Sequence, residues 1–254
     1  MRLKNVSQSF GNLQVLKDTS LSVNKNEIVC LLGPSGSGKT TLFNIASKII
    51  SPDKGKVELK NDFRKSFVFQ DSRLLPWKTV EKNIDFVQRN FLPSFRAEKI
   101  RDKLLELTGL KDFVNSYPAQ LSGGMKQRIE IIKALSIIPD FILMDEPFKS
   151  IDAQTRVNFQ QMLLRFQEEK NISFFIITHD PETAVLMADR IYVLSQKPAK
   201  IIKTINLNTP QAQRTLKDEK IYKSIQEILK LFRDIVDEFR WDKSKETSNI
   251  LFEL

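Results

Sequence analysis

The chain has 254 residues, enough for one large or two ordinary domains at about 150 residues each. A single cysteine and a single histidine exclude an internal disulfide and a Cys/His zinc site built from this chain. Net charge is +9, yet no block of five like charges occurs, so the excess reads as a solvated lysine-rich surface and no nucleic acid is expected as a partner.

The first ten residues, MRLKNVSQSF, lack the apolar core of a secretory signal. No apolar run exceeds five residues, against the roughly 20 that a membrane span needs. A cytoplasmic chain is the expectation. Apolar and β-branched runs predict strands at Leu3–Phe10, Val15–Val23 and Ile28–Leu32. The third is apolar on both faces, as a central parallel strand should be. It leads through a glycine-rich segment into a helix at Lys39–Lys48. Short strands follow at Lys56–Leu59 and Ser66–Phe69.

From about Val80 to Leu135 the periodicity turns helical, with Ile100, Leu104 and Leu107 on one face and Met125, Ile129 and Ile132 on another. Strands return at Phe141–Met144, Ser173–Thr178, Ile191–Leu194 and Lys200–Ile205, with a helix at Ala153–Glu169 between the first two. This alternation predicts an α/β fold with a largely parallel sheet. Residues 1–210 are therefore read as one domain with a helical subdomain, 72–138, inserted in it. Residues 211–254 form a C-terminal amphipathic helix, about 216–240, and a polar tail. The helix stripe is Ile221, Ile225, Ile228, Phe232, Ile235 and Phe239.

Three motifs carry chemistry. Gly33-Pro34-Ser35-Gly36-Ser37-Gly38-Lys39-Thr40, followed by Thr41, fits the phosphate-binding pattern G-x-x-x-x-G-K-[ST] between a buried strand and a helix. Its glycines let backbone N–H groups wrap a phosphate at a helix N-terminus. Lys39 would reach the β- and γ-phosphates, and the Thr40 hydroxyl would ligate Mg²⁺. Phe141–Met144 ends in Asp145 and Glu146. Asp145 suits holding Mg²⁺ through water, and Glu146 suits activating a water that attacks the γ-phosphate. Ser122 reads as the N-cap of a helix opening Gly123-Gly124-Met125-Lys126-Gln127. Two glycines in a first turn cost about 1 kcal/mol each as helix formers, a cost tolerated where something anionic must approach the N–H groups.

In this order, with His179 in IITHD, these motifs resemble those of the ATP-binding cassette (ABC) ATPases over about residues 1–230. The resemblance implies a P-loop NTPase of ABC type, with a mixed, largely parallel core sheet, antiparallel N-terminal strands and the inserted helical subdomain. It implies ATP and Mg²⁺ as cofactors. By the same resemblance Phe10 stacks on adenine, and Gln70 links Mg²⁺ and the attacking water to a membrane partner. His179 contacts the γ-phosphate, and Ser150-Ile151-Asp152 communicates across a dimer. Ser122, Gly123, Gly124 and Gln127 belong to the segment that closes on the nucleotide of a second ABC subunit, so a homodimer is implied. One cassette with no membrane helices and no long coiled coil is similar to stand-alone importer subunits. QDSRLLPW after Gln70 and LSQKPAKI at 194–201 look like the nitrate/sulfonate/taurine branch. The implied partners are then an integral-membrane permease and, indirectly, a solute-binding protein, at the cytoplasmic face of the membrane. A soluble ABC-type ATPase of a cytosolic assembly system is the alternative.

Overall fold

The computed structural model describes residues 1–59 and 63–251, and only the backbone of residues 236–251. In chain order the first elements are β1 (Arg2–Phe10), β2 (Leu13–Ser22), β3 (Ile28–Leu32), α1 (Lys39–Ala46), β4 (Lys54–Glu58) and β5 (Lys65–Val68). A helical stretch follows, with α2 (Val80–Gln88), α3 (Ser94–Leu107) and α4 (Gly123–Leu135). Then come β6 (Phe141–Asp145), α5 (Ala153–Lys170), β7 (Ser173–Thr178), α6 (Pro181–Met187), β8 (Arg190–Leu194), β9 (Ile201–Asn206) and α7 (Glu219–Leu251). Among the described residues no helix is long and apolar enough to cross a membrane.

The chain divides into two compact units. One comprises Met1–Ser22, Val29–Glu58 and Thr178–Leu254, the other Val23–Ile28 and Leu59–Ile177. In the first unit β2, β1 and β4 form an antiparallel sheet in that order. β3 runs parallel to β8, with Leu32 opposite Val193, and β8 pairs antiparallel with β9. All five residues of β3 are buried, the outcome that its unbroken apolar run predicts. Cys30 lies among them, and desolvation pushes its thiol far above the ordinary range, so it is inert. α7 packs on α6 and buries Ile221, Ile225, Ile228 and Ile235.

In the second unit β5, β6 and β7 form a parallel set, with Lys65 opposite Phe141 and Phe141 opposite Ser173. β6 and β7 are buried throughout. The mixed, mostly parallel strand pairing and the antiparallel N-terminal strands agree with the sequence reading.

β4 pairs with β1, whereas β5 pairs with β6. Two details differ from the sequence reading. α7 begins three residues later than expected and its backbone continues to Leu251; the Phe239 side chain lies outside the described residues. On α3 the buried face is Ala97, Arg101, Leu104 and Leu105, and Leu107 is 57% exposed. Arg101 takes a place on the buried face. It pairs with Asp85 at 2.7 Å, Asp102 at 2.9 Å and Glu81 at 3.2 Å. Those carboxylates let a guanidinium be buried where an apolar stripe was expected.

Candidate functional site

The phosphate-loop residues lie in the first unit, between β3 and α1. Gly38 is the N-cap of α1 at φ 100°, a conformation that L side chains rarely adopt, and a Cβ there would come within 2.8 Å of the Val15 side chain. No side chain caps α1, and its first turn holds no acidic residue. The N-terminal end of α1 therefore keeps its partial positive charge for an anion. Lys39 curls back over the loop and donates from Nζ to the carbonyls of Gly33 at 2.7 Å and Pro34 at 2.9 Å. This contact sets the ammonium beside the loop backbone. Ser35 and Gly36 are exposed at the tip, with Gly36 at φ 77°. The Ser37 N–H donates to the Pro34 carbonyl at 3.2 Å, and its buried hydroxyl finds no partner among the described residues. Thr40 is exposed and Thr41 half-buried.

Two further residues belong to this unit. Phe10, at the end of β1, is 54% exposed, with its ring available for stacking. His179 is exposed and directly precedes Asp180, the N-cap of α6.

In the second unit Asp145 ends β6 opposite Ile177 and is buried. Glu146 leaves the strand at φ 49°, and its N–H donates to the Ile177 carbonyl at 2.8 Å. A positive φ on a residue with a side chain costs about 1–3 kcal/mol and collects at functional positions. The strain turns Glu146 out of the register that holds Asp145. Gln70 is exposed, two residues beyond β5.

Ser122 caps α4 as expected, accepting the Met125 N–H at 3.2 Å. The buried side chain of Gln127 has an Nε2 without a partner among the described residues. Gly124 needs no ligand to explain it, because a Cβ there would stand 2.8 Å from the Ser150 carbonyl oxygen. Gly123 has no such neighbour, and the anion argument stays with it. The structure thus brings the signature segment, Ser122–Gln127, against Ser150 and Ile151. Asp152 caps α5 by accepting the Thr155 N–H at 3.0 Å. That bond, with the Thr155 hydroxyl and the charge of Arg128 on α4, holds its carboxyl below the usual range.

Sequence reasoning missed Glu130. It is buried on α4 and paired with Lys133 at 2.6 Å. The segment after Gln70 hangs on it: Ser72 Oγ donates at 3.1 Å and the Arg73 N–H at 2.5 Å.

An uncapped helix behind a glycine loop, with a strained acid after a buried aspartate elsewhere in the chain, defines a nucleotide-binding class of protein. Residues 16–149 match the ABC transporter family. The chain is 37% identical to an uncharacterized ABC transporter ATP-binding protein of Methanocaldococcus jannaschii, over 91% of each chain. It is 40% identical to an aliphatic sulfonates import ATP-binding protein of Pseudomonas syringae pv. tomato, over 82% of this chain and 88% of that one. A taurine import ATP-binding protein of Jannaschia sp. is 36% identical over 82% of each. Among solved structures, a dimeric bacterial ABC transporter cassette matches with a TM-score of 0.73 and 29% identity, over 82% of this chain and 99% of that one. A post-hydrolysis cassette dimer bound to ADP and phosphate matches with a TM-score of 0.71 and 30% identity, over the same shares. The chain belongs to the ABC transporter family, as an ATP-binding subunit.

Proposed function

We propose that this chain is the ATP-hydrolysing subunit of an importer, working as a homodimer beneath a separate permease at the cytoplasmic face of a membrane. The observation that carries the reading is the N-terminus of α1, left without a side-chain cap behind Gly38 and flanked by the Lys39 ammonium. Lys39 and the α1 N–H groups would hold the β- and γ-phosphates, and Phe10 would stack on the base. Glu146 would take a proton from the attacking water while His179 contacts the γ-phosphate. Thr40, Gln70 and Asp145 offer a hydroxyl, an amide and a carboxylate, an all-oxygen set that suits Mg²⁺. Bound there, Mg²⁺ would neutralise charge on the transferring phosphate.

In this reading residues 1–210 form the cassette, with 72–138 as its inserted helical part, and residues 211–254 add the accessory helix. Ser122, Gly123, Gly124 and Gln127 would close on the nucleotide of the second subunit, with Asp152 beside them. A solute-binding protein would deliver the cargo to the permease. The relatives named for aliphatic sulfonates and taurine support a small organic anion as that cargo. The test is ATP hydrolysis by the purified chain with Mg²⁺, against Lys39→Ala, which should lose nucleotide binding itself. Equal binding by the two would overturn the reading.

A further inference from the structure

Within the second unit α3, α5 and the end of α4 enclose a half-open groove of about 810 Å³. Its walls include Ile100, Leu104 and Leu107 from α3, with Met162 and Phe166 from α5. Leu104 forms the buried floor, Leu107 is 57% exposed, and Phe95 beside them is 81% exposed. A contiguous apolar surface of this kind marks a binding site more often than idle exposure.

Charge says what the site would bind. Arg96, Lys99 and Lys103 line it from α3, and Arg165 and Lys170 from α5. Glu169 is the one acid among the lining residues. None of the five cations forms an ion pair among the described residues. Elsewhere on α3 a cation is neutralised at once, as Arg101 is by three close carboxylates. An apolar floor with unpaired cations on both walls complements a molecule that is apolar along its length and anionic at its head.

Size points to a small ligand. A volume of 810 Å³ falls within the range of small-molecule sites. Met162 on the wall adds a side chain that adapts to an irregular ligand.

We infer that this groove is a binding site for a soluble single-chain amphiphile with an anionic head, an alkanesulfonate or alkanecarboxylate. None of its lining residues belongs to the phosphate loop, the signature segment or the acids after β6, so the inference does not depend on the importer reading.

The experiment is calorimetric titration of the full-length chain with hexane-, octane- and decanesulfonate, each kept below its micelle concentration. Saturable one-to-one binding is expected, tightening about two- to fourfold per added methylene. Decanol and decylammonium should bind at least tenfold more weakly than decanesulfonate. The double variant Lys99→Glu/Lys103→Glu changes only exposed side chains and should keep the wild-type melting temperature and ATP binding. It should lose at least tenfold in decanesulfonate affinity. Leu107→Glu should weaken the same ligand by a similar factor. Equal affinity for the three head groups, or unchanged affinity in both variants, would overturn the inference. So would binding only to vesicles containing an anionic phospholipid, which would make the face a membrane contact instead.

Discussion

Glu130 on α4 and Arg73, three residues beyond Gln70, are joined by a hydrogen bond from the Arg73 N–H to the buried carboxylate. The same carboxylate pairs with Lys133 and accepts from Ser72. The helix that opens with the signature segment therefore holds the loop that begins at Gln70. Glu130→Ala would leave the Ser72 hydroxyl and the Arg73 N–H without their acceptor and Lys133 without its counter-charge, and removing one partner of a buried pair costs about 3–5 kcal/mol. Glu130→Gln keeps an oxygen for the Arg73 N–H and should cost less, about 1–3 kcal/mol. Urea unfolding of the three proteins checks the order. A Glu130→Ala protein within 0.5 kcal/mol of wild type would show that the loop is not held there.

Trp77 closes the same loop and is 70% exposed, while Leu74 is tucked in and Leu75 half-buried. Of the three large apolar side chains in this segment, Trp77 alone stands out. Trp77→Ala should leave the melting temperature of the isolated subunit within about 1–2 °C, as surface substitutions do. Co-purification with the permease should fall sharply, because a buried interface tryptophan is commonly worth about 2 kcal/mol or more. Full assembly by the variant would move the docking surface elsewhere.

Arg214 ties the C-terminal segment to α6. Its guanidinium donates to the carbonyls of Val185 at 2.9 Å, Ala188 at 2.6 Å and Thr209 at 2.8 Å. Burial lowers its pKa. Arg214→Met would strip the end of α6 of these donors, at about 2–3 kcal/mol. The melting temperature should drop by roughly 5–10 °C. Truncation after Asn206 removes Arg214 and also exposes the surface under Ile221, Ile225 and Ile228, so it should lower melting further. Calorimetry on both would show it, and an unchanged transition would mean that α7 contributes nothing to the fold.

Phe10 offers a flat face and no hydroxyl, and stacking on an aromatic ring discriminates poorly between purines. GTP should displace ATP with an affinity within about tenfold. A competition experiment that gave a thousandfold preference would require hydrogen bonds to the base.

The sequence was most informative where one physical demand acts on consecutive residues. β3 shows itself as five apolar residues before a glycine loop, and Ser122 as an oxygen ahead of a helix; both stand where expected. It was least informative where a charge is buried through distant partners. Arg101 and Glu130 look like surface positions on amphipathic helices, because Asp85 and Arg73, which make their burial tolerable, are 16 and 57 residues away. The strain at Glu146 is equally silent in the sequence: its positive φ accompanies a hydrogen bond to Ile177, on a strand distant in sequence.

Glu146→Gln decides whether this chain hydrolyses ATP through the acid that leaves β6. Purified with Mg²⁺ and ATP, the variant should bind nucleotide as wild type does and turn it over at least tenfold more slowly, the lower end of what a lost general base costs. Light scattering should find it as an ATP-bound dimer. Turnover at the wild-type rate would contradict the role assigned to Glu146.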